Sequence, residues 1–393
     1  MNRKSILISG GGIAGLTFAI ELKRRGFEPL VIEREAGLRA EGYMMDFFGT
    51  GWDVASRMGL TERLRAVHYP IEVMEFVAAD GTPYVRMPIE RMRHALDDNY
   101  VYLRRPDLEA ILAQRARETG IDVRYATALA ALEDRGDYVH ARFEDGSAGD
   151  FSLVVGADGV HSRVRELGFG PERQYEKFLG LYVAAFHLPR GKLPFDRKVK
   201  VYQETDRMMF LYPLDEKRLD MTYVFRYAGE PATHERRVDF LRERTRGAGW
   251  LMQYALDAYT GETPIYFDSA TQIVMPQWHK GRLALIGDAC GCLTLLAGQG
   301  SHMAMAGGYV LAQELARQPD HDTAFAAYQA FLKPAVDKKQ KDAARFAGLV
   351  VPSARSHPWL RRLFIRALFS RPLIGPGLKF LGATSVLAGR DCD

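Results

Sequence analysis

Gly10-Gly11-Gly12-Ile13-Ala14-Gly15 is the first place in the sequence where residue types and spacing could do chemistry. The Gly-x-Gly-x-x-Gly spacing suits a turn that carries phosphate. Gly10 permits the tight turn, a side chain at Gly12 would collide with a pyrophosphate, and Gly15 lets a helix approach the preceding strand closely. A helix opening there offers unpaired N–H groups and a partial positive charge to the phosphates. Glu33 stands 18 residues beyond Gly15, where a carboxylate accepts hydrogen bonds from ribose hydroxyls and repels a 2′-phosphate. The pattern therefore selects an adenosine with a free 2′-hydroxyl, as in FAD or NAD. Cys290 and Cys292 form a Cys-x-Cys with no second ligand cluster in the sequence, so metal chemistry has no support, and no Ser-His-Asp set is apparent.

The elements that must position these residues read as a βαβ unit. An apolar run at 5–9 leads into the glycines, an amphipathic stretch reaches Arg25, and a second apolar run covers 29–33. Pro106 at a first helical position predicts a helix to about Thr119, followed by a strand at 122–125. Further strands are expected at 130–133, 138–143 and 151–155. Two aromatic-rich stretches with hairpin signals, 71–87 around Asp80-Gly81 and about 178–227 around Asp215-Glu216, read as an antiparallel sheet interleaved with the α/β part. After Gly287 the pattern turns helical, with a long helix over 322–346.

Length and composition fit this plan. The chain has 393 residues, 47% hydrophobic and 26% charged, enough for two or three domains and not for a disordered or fibrous chain. The net charge is +4 and no basic run interleaves with aromatics, so no nucleic-acid partner is expected. Three cysteines and the early end of the N-terminal apolar run fit a cytoplasmic protein. Residues 289–313 lack Asp, Glu, Lys and Arg, but glycines and His302 within them argue against a transmembrane segment. The surplus positive charge lies in 353–393. There Trp359, Leu360, Leu363 and Phe364 share a helical face, expected to close on the body with Arg361, Arg362 and Arg366 solvated.

Two later motifs, 154–165 around Asp158-Gly159 and Gly281 to Ala289 around Gly287-Asp288, together with Gly10 to Gly15, resemble the three fingerprints of the single-component FAD-dependent aromatic hydroxylases, the p-hydroxybenzoate hydroxylase-like family. The resemblance runs over essentially the whole chain. It implies an α/β fold: a Rossmann-like FAD-binding domain (1–70, 98–175 and 276–320), an interleaved antiparallel sheet for substrate (71–97 and 176–275) and C-terminal helices (321–393). By the same likeness FAD meets Gly10, Gly12, Ala14, Gly15, Glu33 and Arg34; Arg105 reaches its phosphates, Leu129 its adenine, Asp158 the pyrophosphate and the nicotinamide cofactor, and Asp288 the ribityl chain. Gly298 and Gly300 bring backbone N–H groups to the flavin.

Gly42 to Phe48 and Ala297 to Gly300 are further similar to tetracycline-inactivating and polyketide-tailoring monooxygenases. That likeness implies Asp46 near the flavin and Arg39 as a contact for NADPH or NADH. It also implies insertion of one oxygen atom from O2 into an aromatic or polycyclic small molecule through a C4a-hydroperoxyflavin. Tyr202, Phe210, Tyr212, Tyr223 and Phe225 are candidate lining residues on one face of the sheet, and Arg226 is a candidate substrate contact. The chain departs from the family at Gly291, at Thr294 and Leu295 where relatives carry proline, and at His302. A flavin reductase or dehydrogenase without oxygen insertion, or a flavin-binding protein without turnover, are the competing readings. The sequence leaves monomer or dimer open.

Overall fold

Strands Ser5–Ser9 and Leu153–Gly156 are short apolar runs buried on both faces, as a parallel sheet requires. The structure, a computed structural model, describes residues 5–38, 42–191, 197–249, 251–261, 265–352, 357–368, 370 and 384–390. Among these, one sheet has six strands in the order His279–Lys280, Leu283–Leu285, Leu153–Gly156, Ser5–Ser9, Glu28–Ile32 and Asp122–Arg124. All its pairs are parallel except the terminal one. Chain order reverses at Ser5–Ser9, which has a later strand on one side and the next strand on the other. Such a switch point opens a crevice at the carboxyl ends of the strands, where Gly10, Glu33 and Ala157 emerge.

The helix Ile13–Arg24 is buried along Ile13 to Leu22 because it lies between the sheet and the helix Gly300–Arg317. A Cβ at Gly308 would meet Ala14 O and Phe18 N, both at 2.8 Å, so the two helices cross with backbones almost touching. This burial accounts for much of the uncharged 289–313 stretch. No described helix is long and apolar enough to cross a membrane.

The second large sheet runs Tyr266–Ile273, Glu176–Pro189, Arg218–Arg226, Arg207–Pro213, Lys198–Glu204, Val73–Val77 and Pro83–Pro88. It is antiparallel as expected save for one parallel pair, Lys198–Glu204 with Val73–Val77. The expected strand over 151–155 is in fact two. Ala148–Phe151 joins a small antiparallel sheet with Val139–Phe143 and Leu129–Asp134, and Leu153–Gly156 joins the parallel sheet. Ser152 is the crossover, its N–H donating to Ser5 O at 2.9 Å.

Register separates the aromatics that the sequence placed on one face. Tyr202, Met209 and Tyr223 are cross-strand partners, so with Phe225 they share the face packed on Leu241 of the helix Arg237–Thr245 and Met252 of the helix Leu251–Asp257. Phe210 and Tyr212 lie on the opposite face with Thr222 and Asp220. That face meets the two-stranded ribbon of Met44–Phe47 and Val101–Arg104 through Met44, Tyr100 and Tyr102.

The helix Pro358–Leu368 also departs from expectation. Trp359, Leu360 and Leu363 are 63%, 47% and 59% exposed, whereas Ile365 is buried. Arg362 lies over the Tyr84 ring and Arg366 donates to Tyr84 O. Both arginines are nevertheless exposed, as expected, so the departure is that the apolar side is left exposed as well.

Candidate active site

A cleft of about 540 Å³ starts at the glycine turn and ends against Leu295 to Ser301. The three motif glycines serve it differently. Gly10 has φ +113°, and a Cβ there would run into the Ala157 carbonyl; a Cβ at Gly15 would run into the Gly10 carbonyl. These two are demanded by the backbone itself. A Cβ at Gly12 meets only Glu109 Oε1, at 3.8 Å, an ordinary contact. Nothing among the described residues requires glycine at position 12, so the space it keeps open is space for a ligand.

Around this turn the cleft collects most of the residues singled out from the sequence. Gly10, Gly12, Ala14, Glu33, Arg34, Arg105, Leu129, Asp158, Asp288, Gly298 and Gly300 all line it. Gly15 lies one turn behind, in the helix. The Glu33 carboxylate accepts from the N–H groups of Gly11 at 2.8 Å and Glu35 at 3.0 Å, which fixes it at the end of its strand with lone pairs to spare. Arg34 is at the mouth, 3.6 Å from Glu35.

Asp158 is the hub of the second motif. It accepts from Ser9 Oγ at 3.2 Å, Ser162 Oγ at 2.5 Å and the N–H groups of Arg163 and Val164 at 2.9 and 3.1 Å. It therefore caps the helix Arg163–Phe169 and ties it to the central strand. Burial pushes its carboxyl pKa up, against these hydrogen bonds. Fully buried Arg165 donates to Ala289 O at 3.0 Å, which couples this motif to the loop carrying Asp288.

Arg105 pairs with Glu109 at 2.8 Å across one helical turn. Burial works against its charge, but Glu109 and its other neighbours raise its pKa on balance. A guanidinium has five N–H donors, so the pair leaves several for phosphate oxygens. Asp288 sits where the strand Leu283–Leu285 gives way to a short helical turn. Burial raises its pKa, opposed chiefly by Arg105, and the Cys292 thiol bonds to it.

Three sequence expectations fall elsewhere. Arg226 is outside the cleft lining: it pairs with Asp206 at 3.0 Å and donates to Val351 O at 3.4 Å, at the exposed end of its strand. Asp46 is turned away from the cleft, because along this strand Met45 faces it and the next residue points to the other side. Its carboxylate accepts from Tyr100 OH at 2.5 Å. Arg39 lies outside the described residues.

Other lining residues were not anticipated. Tyr266, Asp268, Ser269 and Thr271 come from the edge strand Tyr266–Ile273, and Tyr43 packs edge-on against Tyr266 with centroids 6.0 Å apart. Period 2 could not have found them together, because the lining parity changes between Asp268 and Ser269, next to an irregularity in the pairing with the neighbouring strand. Lys339, from the long helix His321–Val350, donates to Gln299 at the start of the helix Gly300–Arg317.

Of the departures from the family pattern, Thr294 and Leu295 line the cleft, whereas Gly291 and His302 lie outside its lining. Gly291 is buried against Val336 and Trp278. His302 is buried, packs edge-on against Phe47 and Phe48, and its Nε2 is 3.1 Å from Asp46 O. Burial, with Lys339 nearby, pushes its pKa down to about 4. The ring is neutral, and Nε2–H donates to the carbonyl. An unfolded histidine binds its proton near pH 6.5, so native stability is lost as pH falls from about 6.5 towards 4, at up to about 1.4 kcal/mol per pH unit for this one group. Urea midpoints of wild type and His302→Gln, measured from pH 8 to 4, should converge on acidification because the variant lacks that loss.

Thr294 has φ +91° and ψ 145°, a region where side chains other than glycine's cost about 1–3 kcal/mol. Its Oγ1 is buried with no hydrogen-bond partner among the described residues, and the residue lines the cleft.

Residues 3–329 match the family model described as FAD binding domain. A flavin-dependent monooxygenase of Legionella longbeachae is 30% identical over 343 residues, 86% of this chain and 87% of that one. The chain is a member of the FAD-dependent monooxygenase family. The solved structure of tetracycline destructase Tet(55) superposes on this monooxygenase with a TM-score of 0.84 at 28% identity, over 98% of this chain and 99% of that one. Klebsiella pneumoniae HpxO, solved with FAD and uric acid, shares the fold at 20% identity, with a TM-score of 0.79 over 98% and 97% of the two chains. The cleft of this monooxygenase suits FAD: an open glycine at the turn, a carboxylate at the end of the second strand, and a half-buried arginine in the same lining.

Proposed function

We propose that this monooxygenase uses NADPH or NADH and inserts one oxygen atom of O2 into an aromatic or polycyclic, phenol-like small molecule. The overall reaction is substrate-H + O2 + NAD(P)H + H+ giving substrate-OH + NAD(P)+ + H2O. Bound FAD supplies the electron transfer from the nicotinamide and the reaction with oxygen. The observation that carries the reading is the continuous cleft from Gly12 and Glu33 to Asp288 and Gly300 in a chain of this family.

In this reading the protein binds, orients and excludes water. Gly12 leaves room for the pyrophosphate and Arg105 neutralises it. Glu33 and Asp288 accept from ribose and ribityl hydroxyls. The N–H groups at the start of the helix Gly300–Arg317, whose first residues line the cleft, would be available to a bound ring, and the helix dipole there would favour negative charge. Met44, Phe48, Tyr100, Tyr102, Phe210 and Tyr212 form a packed apolar and aromatic wall that Leu295 joins to the cleft end; none of the six lines the cleft itself, and in this reading a flat substrate would bind beside them. Arg104 beside that wall is paired with Asp107 at 2.9 Å. The polycyclic preference draws further support from the likeness to a tetracycline destructase.

Loss of the family's proline at Thr294 and Leu295 leaves the backbone donors at Gly298 and Gly300 in place, and the reading therefore keeps oxygen insertion. The test is an electron count. With a tetracycline as probe substrate, the peroxide formed per NAD(P)H consumed should fall well below one. Stoichiometric peroxide with every polycyclic phenol tried would favour a reductase, and no NAD(P)H consumption would favour a binding protein.

A further inference from the structure

Thr294 combines three observations that packing alone does not reconcile. It is a β-branched residue held at φ +91°, ψ 145°. Its hydroxyl is 2% exposed as part of the residue and has no partner among the described residues. It lines the cleft between Asp288 and Cys292 on one side and Leu295 to Ser301 on the other. A glycine would remove the backbone strain, and a valine would remove the unpaired hydroxyl while keeping the shape. Strain and an orphaned buried polar group in one residue mark a position shaped for something other than stability of the empty protein.

We propose that Thr294 is a positioning residue for the flavin, its hydroxyl exchanging a hydrogen bond with the polar edge of the bound ring. The loop holds it there. Its N–H bonds to Cys292 Sγ, whose thiol in turn bonds to Asp288. Its carbonyl accepts from Ala297 N–H at 3.1 Å, closing the turn that leads to Gly298. Both ends of the residue are thus fixed by neighbours on the same loop. A ring seated against this residue would supply the missing partner after the χ1 rotation that exchanges hydroxyl and methyl. The inference rests on the reading of the cleft as the FAD site and adds a contact made by a side chain.

The test measures FAD affinity by fluorescence quenching, and thermal midpoints with and without FAD, for wild type and for Thr294→Ser, Thr294→Val and Thr294→Gly. A neutral hydrogen bond predicts roughly two- to tenfold weaker FAD binding in the Val and Gly variants and near wild-type affinity in Ser. Thr294→Gly should also raise the midpoint of the apoprotein by a few degrees while the rise on adding FAD shrinks. Wild-type FAD affinity in all three variants would overturn the proposal, as would equal weakening in all three, since that indicts packing rather than the hydroxyl. The apoprotein midpoints show directly whether each variant folds. Failure of the wild-type protein to bind FAD would instead remove the reading of the cleft itself, and this inference with it.

Discussion

Gly12→Val should abolish FAD binding in a protein that still folds. The expectation comes from the contrast among the three motif glycines. A side chain at Gly10 or Gly15 overlaps backbone carbonyls of the protein, whereas one at Gly12 meets only Glu109 Oε1 at 3.8 Å. The branched side chain would therefore fill ligand space and disturb little else. Gly15→Ala is the control with the opposite signature, because it forces a strand and a helix apart and should cost stability directly, about 1–3 kcal/mol or more. Flavin content after purification and urea midpoints separate the two. A folded Gly12→Val protein with full flavin content would refute the assignment of the glycine turn.

Arg105→Ala should weaken FAD by about one to two decades, since a charge-assisted hydrogen bond contributes roughly 1.5–3 kcal/mol. Part of any loss arises because Glu109, 5% exposed, is left without the guanidinium beside it. The double variant Arg105→Ala with Glu109→Gln separates the two causes. If phosphate contact is the larger, affinity stays low in the double variant while stability recovers. If affinity recovers as well, the arginine serves only to neutralise Glu109. Asp288→Ala, by contrast, should alter flavin fluorescence as well as affinity.

The glycine turn, Glu33, Asp158 and Asp288 were legible because each stands at a strand end, and strand ends of a parallel sheet converge. Local sequence carries that information: an apolar run, a glycine or carboxylate, a helix. The aromatic wall was not legible in the same way. Period 2 says that Phe210 and Tyr212 share a face, but only register shows that Tyr202 pairs with Met209, which sends Tyr202, Tyr223 and Phe225 to the other side. Arg226 failed for a related reason. It lies at a strand end, but Asp206 and the Val351 carbonyl, both distant in sequence, hold it at the rim. Tyr43 and Tyr266 meet across more than two hundred residues, and no local pattern marks that contact. The amphipathic helix Pro358–Leu368 shows the limit of reading faces from residue pattern, since Trp359, Leu360 and Leu363 on its apolar side are exposed.

Among the measurements open to this protein, isotope transfer bears most directly on its chemistry. The FAD-loaded enzyme is given NADPH, or NADH in a parallel reaction, a tetracycline as probe of the polycyclic phenols, and 18O2 in place of ordinary oxygen. Mass spectrometry of the product should show a gain of one oxygen atom carrying the heavy isotope, with no label when only the water is 18O-enriched. Oxidation of the nicotinamide with all of the label recovered in hydrogen peroxide, and none in any organic product across a panel of polycyclic phenols, would contradict oxygen insertion.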